Sequence, residues 1–221
     1  QIRTHYPQTV LEEIAVMEQE QSRMDLGEYR QKVPSYMQHI IAEITQLARK
    51  SPDISQRSGV SVRATVANYE AMLANALRRA ITTGEQEVVP RISDLPFIMP
   101  SLQGKIEFEA MEEGHEDKIM SRLFDDAVRA VFNRFVDVQQ LDEMAIEFGD
   151  GLNVTTGESV PSEDYLTISK KVPGLSQLVD KLNHTDSPAE QASGIEFVLE
   201  GLHLHQLLNK DQVKGRNTYF G

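Results

Sequence analysis

The clearest helix signal in the chain is the stretch Val62-Arg-Ala-Thr-Val-Ala-Asn-Tyr-Glu-Ala-Met-Leu-Ala-Asn-Ala-Leu-Arg-Arg-Ala-Ile-Thr-Thr-Gly84. Its apolar residues recur every three or four positions, the spacing of one face of an α-helix: Val62, Val66, Tyr69, Leu73, Leu77 and Ile81. Gly84 stands where a helix usually ends, because glycine adopts the left-handed conformation without strain. The stretch therefore predicts a long amphipathic helix packed against a core.

Helix signals continue on both sides of this stretch. Thr9-Val-Leu-Glu12 has the pattern of a capping box and predicts a helix to about Met24, and Pro34 opens the next one. Further apolar stripes and caps predict helices over 119–135, 162–171, 175–182 and, from the cap at Ser187, to about Leu208. The turn-rich segment 149–157 is predicted as a loop, and the polar residues 209–221 as a frayed tail.

One short segment has a different period. Ile106 and Phe108 alternate with charged residues between Ser101 and Glu109, which is typical of an extended segment, although the sequence offers no obvious partner strand. The predicted fold is therefore all-α: a helical bundle of two subdomains, residues 1–100 and 101–221, with an extended connection near 100–114.

Composition limits the classes of function. The 221 residues carry a net charge of −12, which disfavours attraction to nucleic-acid phosphates. The chain has no cysteine, which excludes disulfides and thiolate chemistry and is typical of a reducing compartment, so we expect a cytoplasmic protein. No apolar run has the length of a membrane span. Because the sequence begins with Gln1, we expect it to be a trimmed chain or a piece of a longer protein.

The most suggestive candidate site is the segment from Arg57 to Arg63. A glycine-containing turn at Gly59 leads into the long helix, and Arg63 falls in the first turn of that helix. Free backbone N–H groups, the positive end of the helix dipole and a guanidinium together suit an oxyanion such as phosphate. The simpler interpretation, which the residues alone favour, is an exposed arginine beside a helix cap.

Two histidine-containing segments favour ordinary structure over metal binding. The acidic run Glu112–Asp117 contains His115, but neighbours on a helix point in different directions, and carboxylates are common at helix starts. His203 and His205 are two positions apart, so their side chains diverge on a helix. We predict no metal ligands and no catalytic residues in this chain.

The stretch from Gly59 to Leu95 resembles the helical lid of AAA+ ATPases, in particular the MoxR and magnesium-chelatase I-subunit branch. The corresponding parts are the Gly-x-Ser-x-Arg turn Gly59-Val-Ser-Val-Arg63, a long helix at 66–81, a polar turn at 83–87 and the Val-x-Pro segment at 89–95. The resemblance covers about residues 1–100, and residues 1–30 would join the lid to an ATPase core.

The resemblance implies a role for the turn in nucleotide binding. It makes Arg63 the sensor-2 arginine, which reaches the γ-phosphate of ATP, with Ser61 and Gly59 in the same turn. The Walker A pattern G-x-x-x-x-G-K-[ST] and an acidic Walker B strand are missing, so the core that binds ATP and Mg²⁺ would precede Gln1. The implied partners are that core and the neighbouring subunits of a ring; this chain alone is not expected to hold ATP or hydrolyse it.

Two alternatives remain open at this point. The chain could be a helical protein–protein interaction module without a nucleotide role, with its acidic surface or last helices binding a partner. It could also be a metal-dependent helical enzyme that uses the histidine and carboxylates of residues 112–126. The client of an ATPase, and the role of residues 101–221, are not indicated by any motif.

Overall fold

The computed structural model describes residues 5–22, 24–57, 59–109, 115–137, 141–149, 151–172, 174–183, 187–213 and 215–221. These residues are mostly helical, with 62% of them in helices, but they also form two small sheets of two and three strands. The expectation of an all-α fold is therefore correct in its helical majority and wrong in excluding strands.

Each helix predicted from the sequence has a counterpart in the structure, most of them close to the predicted bounds, but the structure describes more helices than were predicted. They are α1 Val10–Glu20, α2 Ser35–Lys50, α3 Val62–Thr83, a 3₁₀ helix Ile92–Ile98, α4 Met99–Gln103, α5 His115–Phe135, α6 Asp142–Gly149, α7 Ser162–Lys171, α8 Leu175–Asn183 and α9 Pro188–Leu204. None of the described helices is both long and apolar enough to cross a bilayer.

Local chemistry fixes the helix ends. Thr9 accepts from the backbone N–H of Glu12 while the Glu12 side chain accepts from the Thr9 backbone, so the predicted capping box is present at α1. Gly84 ends α3 at φ 73°, ψ 21°, as predicted. The α1 helix ends at Glu20 and α9 at Leu204, each four residues earlier than the sequence suggested.

Both halves of the chain share one hydrophobic core. Helix α2 packs along α5 as well as against α1 and α3, and α5 packs against α9. Tyr36 of α2 stacks on Phe197 of α9 with ring centroids 4.4 Å apart, and its hydroxyl donates to Ser193 at 2.9 Å. The main core continues from Ile14 to Tyr219, so the predicted boundary at residue 100 does not separate two cores among the described residues.

The strands form two sheets. Strands β1 (Arg30–Gln31) and β2 (Glu87–Val88) pair in parallel beside α3. Strands β3 (Val154–Gly157), β4 (Asn209–Val213) and β5 (Arg216–Phe220) form an antiparallel sheet in the order β3-β5-β4. The segment predicted as a loop thus contains a strand, and the predicted frayed tail is a hairpin whose residues Asn217 and Tyr219 are buried.

The extended segment before residue 110 finds its partner in the loop after α2. Phe108 forms an antiparallel bridge with Ile54, the Ser55 N–H donates to the Glu107 carbonyl at 2.7 Å, and the Glu109 N–H donates to the Asp53 carbonyl at 3.0 Å. Its first residues instead belong to α4. The remainder of the predicted connection, residues 110–114, lies outside the described residues.

Candidate anion site at the start of helix α3

Ser61 immediately precedes α3 and serves as its N-cap. Its φ and ψ are extended, and its hydroxyl oxygen accepts from the Arg63 backbone N–H at 3.2 Å. One of the free N–H groups of the first turn is therefore satisfied by the protein itself. The serine of the predicted motif has a complete structural explanation as a cap, and it also keeps the helix end at a fixed position.

Gly59 forms the turn that leads into this cap. Its φ is +67°, in the left-handed region where a Cβ is unfavourable, and a Cβ added there would lie 3.0 Å from the Tyr6 hydroxyl. Both the backbone conformation and the nearby Tyr6 side chain therefore favour glycine at this position. The preceding Ser58, and residues 2–4 of the predicted joining segment, lie outside the described residues.

Arg63 is the residue of this turn whose side chain is available to bind an anion. Its side chain is exposed in the first turn of α3, and its guanidinium makes no hydrogen bond or ion pair with the residues that the structure describes. A free guanidinium at the positive end of a 22-residue helix favours an anion. The structure therefore brings Gly59, Ser61 and Arg63 together at one helix end.

A buried ion pair, which the sequence analysis missed, anchors the turn. Arg49 of α2 donates from Nε to the Val60 carbonyl at 2.7 Å, and from Nη1 and Nη2 to the two carboxylate oxygens of Glu13 at 2.5 and 3.0 Å. The Glu13 side chain is 0% exposed and also accepts from Thr65 Oγ1 at 2.5 Å. Helices α1, α2 and α3 and the turn are thus held by one bidentate pair.

The signal for this pair was present in the α1 pattern. Glu13 lies on the same face as Val10, Ile14 and Met17, and a carboxylate on an apolar stripe needs a buried partner. The partner Arg49 is 36 positions away in sequence. Its identity depends on how α1 and α2 pack, so it could not be assigned from the pattern alone.

Two other arginines in the stretch that carries the resemblance, Arg79 and Arg91, are buried and make ion pairs. Arg79 and Asp94 are both 0% exposed and pair at 3.0 Å, and Arg79 also donates to the Val89 carbonyl at 2.6 Å. Arg91 donates to Glu85 at 3.2 Å and to the Val160 carbonyl at 2.9 Å. Burial alone would lower the pKa of Arg79, but the Asp94 carboxylate raises it above its ordinary value, so the guanidinium stays charged.

The histidines have separate local partners. His203 Nδ1 lies 3.0 Å from the Leu208 carbonyl, while His205 contacts the Gly201 carbonyl at 2.7 Å and Asn133 Oδ1 at 2.8 Å. His115 is exposed at the first residue of α5, and residues 112–114 lie outside the described part. Within that part, no three histidine or acidic side chains are grouped in a way that could hold a metal ion.

No protein-family model, no curated protein and no solved structure matches this chain.

Proposed function

We propose that this chain is the lid and following helical region of an AAA+ ATPase of the MoxR or magnesium-chelatase I-subunit type, with Arg63 contacting the γ-phosphate of ATP. The observation that carries the proposal is the exposed guanidinium of Arg63, which has no partner among the described residues, at the capped start of α3 and on a turn that the Glu13–Arg49 pair holds. A positioned arginine of this kind stabilises phosphate charge with little rearrangement.

The residues present suit a phosphate group and leave the metal to another part of the protein. Arg63 supplies the positive charge, and Ser61 and Gly59 hold the helix end at which it is displayed. Mg²⁺ prefers carboxylate and phosphate oxygens, so its ligands in this proposal come from the ATPase core and from ATP itself. The turn would act on bound ATP across a cleft between that core and the lid.

The shared core suggests how nucleotide state would be transmitted. Because α2 packs both on the α1–α3 side and along α5, and α5 packs against α9, a movement of the Arg63 turn would carry helices α5 and α9 with it. Opening and closing of the lid on ATP would then move the surface of the last helices, where a ring neighbour or a client protein would bind. The cytoplasm is the proposed compartment.

The test is ATP hydrolysis by the product of the whole gene, intact and with Arg63→Ala. Loss of a donor to the transferred phosphate should lower kcat roughly 100-fold, with unchanged far-UV circular dichroism. The matched control is Arg57→Ala, which removes an equal, exposed charge from the same loop but outside the helix. It should retain most of the activity.

Two results would contradict the proposal. One is a whole-gene product without ATPase activity, and the other is equal activity of the Arg63→Ala and wild-type proteins. Either result would favour the alternative, a helical interaction module without a nucleotide role.

A further inference from the structure

The three-stranded sheet has an open edge at β4. In the order β3-β5-β4 this strand pairs only with β5, and four of its five residues are exposed. Directly opposite residues of an antiparallel pair alternate between pairs that exchange both backbone hydrogen bonds and pairs that exchange none. The residues of β4 that exchange none with β5 therefore turn their N–H and C=O groups away from the sheet.

The hydrogen bonds of β3 show which pairs are bonded. Gly157 of β3 donates its N–H to the Tyr165 hydroxyl at 3.0 Å and accepts at its carbonyl from the Val160 N–H at 3.1 Å. Its backbone groups thus point away from Arg216, the residue opposite it on β5. The backbone groups of Arg216 then face β4, where the opposite residue is Val213. Val213 and Arg216 are therefore a hydrogen-bonded pair.

The alternation places the backbone groups of Lys210 and Gln212 on the open edge. Counting back from Val213, every second residue bonds to β5, which includes Asp211 and leaves out Gln212 and Lys210. The N–H and C=O groups of these two residues make no hydrogen bond with another element in the described part of the chain. Such a row of free main-chain groups is the template on which a further strand pairs.

A cavity of about 400 Å³ lies beside this edge, between the sheet, the 3₁₀ helix and α5. The side chains of Lys210 and Gln212 line it, and its apolar lining consists of Ile92, Leu95, Phe97, Phe124 and Val128. Residues directly opposite each other in a sheet place their side chains on the same face. An added strand would therefore direct the side chains opposite Lys210 and Gln212 towards the apolar lining.

The charged residues of the lining do not oppose apolar neighbours. The Lys210 ammonium donates to the two carboxylate oxygens of Glu200 at 2.7 and 2.9 Å. Glu158 pairs with Arg78, and Asp125 is exposed to water. Covering Lys210 with an apolar side chain thus leaves no unpaired buried ion.

The outer face of β4 indicates the charge of a partner strand. Asp211 lies between Lys210 and Gln212, with its side chain on the opposite face. It is exposed and makes no ion pair within the described residues. A basic residue directly across from it is favourable, and the net charge of −12 attracts a basic segment as well.

A second copy of β4 does not suit the same edge. Antiparallel pairing of two β4 strands about Asp211 places the two aspartates opposite each other, and pairing about Lys210 does the same with the two lysines. Like charges directly opposite each other are destabilising. The edge thus favours a strand of different sequence.

We propose that the β4 edge binds an extended segment of a partner protein as a fourth, antiparallel strand with the sequence pattern apolar–basic–apolar. The basic residue lies opposite Asp211, and the two apolar residues lie opposite Lys210 and Gln212 with their side chains in the cavity. Pairing is antiparallel because that arrangement is the more stable one per residue. The inference is independent of the ATPase proposal, because it uses no residue at the start of α3.

The first experiment titrates the 221-residue chain with the blocked pentapeptide Thr-Leu-Lys-Leu-Thr and follows backbone amide NMR signals and hydrogen exchange. The N–H groups of Lys210 and Gln212 should exchange freely without peptide and become protected with it. Asp211, which already bonds to Thr218, should be protected throughout. No saturable binding, or binding that leaves the exchange of Lys210 and Gln212 unchanged, would overturn the proposal.

Matched peptides test the sequence pattern. Leu-Glu-Leu in place of Leu-Lys-Leu reverses only the central charge and should bind at least about threefold more weakly, because like charges then face each other at Asp211. Ser-Lys-Ser lacks the apolar side chains and should bind at least about tenfold more weakly. Equal binding of the three peptides would contradict the proposed pattern.

N-methylated peptides test the main-chain pairing. In the proposed register the N–H groups of both leucines face β4, and that of the lysine faces away. Methylating both leucine nitrogens should weaken binding at least about tenfold, and methylating the lysine nitrogen should change it by less than about threefold. The reverse order would show that the peptide does not add to the sheet.

Two variants locate the surface on the protein. Gln212→Pro removes an outward N–H and no bond to β5, so it should abolish peptide binding with unchanged far-UV circular dichroism. Asp211→Lys should reverse the preference between the lysine and glutamate peptides, and it decides the question if Gln212→Pro does not fold. Wild-type binding by a folded Gln212→Pro chain, or an unchanged preference of Asp211→Lys, would place the binding surface elsewhere.

Sedimentation of the chain alone tests a second copy as the occupant. We expect no association through this edge. A dimer in which the N–H groups of Lys210 and Gln212 are protected without peptide would assign the edge to self-association and overturn the proposal.

Discussion

Replacing Glu13 with alanine should destabilise the fold through the arginine that it leaves behind. In the wild type, the Glu13 carboxylate accepts two hydrogen bonds from Arg49, one from Thr65 and one from Gln46, and it is 0% exposed. The Arg49 side chain is itself only 11% exposed, so after the substitution its charge stays buried without a counter-ion. Breaking a buried pair in this way costs about 3–5 kcal/mol of the free energy of unfolding.

The assay is equilibrium urea unfolding followed by far-UV circular dichroism. For a chain of this size the same loss lowers Tm by about 6–20 °C. A double-mutant cycle with Arg49→Met isolates the pair: the double variant should be more stable than the sum of the two single losses predicts, by about 1–3 kcal/mol. Glu20→Ala, an exposed position on the same helix, is the control and should change stability by less than about 0.5 kcal/mol.

A loss of less than about 1 kcal/mol for Glu13→Ala would refute the reasoning, because it would mean that the buried charge finds water or another partner at little cost. Strictly additive effects of the Glu13 and Arg49 substitutions would refute it as well. In that case the turn at Gly59 would have to be held by its backbone contacts alone.

Three further substitutions test other parts of the structure. Gly201→Ala should cost about 1–3 kcal/mol of stability, measured by urea unfolding, because the new Cβ would lie 2.2 Å from the Phe132 ring between α5 and α9. Gly59→Ala should cost about 1–2 kcal/mol in the same assay, because φ is +67° and the Tyr6 hydroxyl is close. Asp125→Asn should raise stability at pH 7 by at most about 0.5 kcal/mol, since the folded pKa is raised and exposure weakens the effect. Its gain should disappear as the pH falls below the ordinary aspartate pKa of about 3.9, where wild-type Asp125 is protonated in both states.

Each of these predictions has a matched control. Gly104→Ala adds a Cβ whose nearest neighbour is 3.9 Å away and should be close to neutral. Gly27→Ala has a similar positive φ, +57°, with nothing within 4 Å, so its difference from Gly59→Ala measures the contact with the tyrosine. For Asp125, NMR titration of the carboxyl carbon should give a pKa above the ordinary aspartate value of about 3.9; a pKa at or below that value would contradict the role of burial.

The long helices were predictable because their signals are local. The apolar stripe of α3 and its final glycine lie within 23 consecutive positions, and the capping box of α1 within four. The turn at the start of α3 was predictable for the same reason, since Gly59, Ser61 and Arg63 are sequence neighbours. Where the residues that determine an element are close together in sequence, the sequence pattern was sufficient to predict that element.

Strand β3 and the Glu13–Arg49 pair depend on residues far apart in sequence. Strand β3 pairs with β5 more than 50 positions later, and its Val-Thr-Thr-Gly sequence between glycine-rich turns resembles an ordinary loop. The hairpin of β4 and β5 did carry a local signal, because Gly215 separates two short polar strands and the second ends in Thr-Tyr-Phe. The prediction of a frayed tail relied on the polarity of residues 209–221 and did not take into account the glycine between two strand-like segments.

The strand order β3-β5-β4 also bears on the order in which the chain folds. Because β5 lies between the other two strands, β3 cannot pair until β5 has been synthesised and has folded back, whereas each helix can begin from its own residues. Contacts across such a distance form slowly, since a long loop must be closed first. We therefore expect the helices to assemble early and the sheet to be completed last.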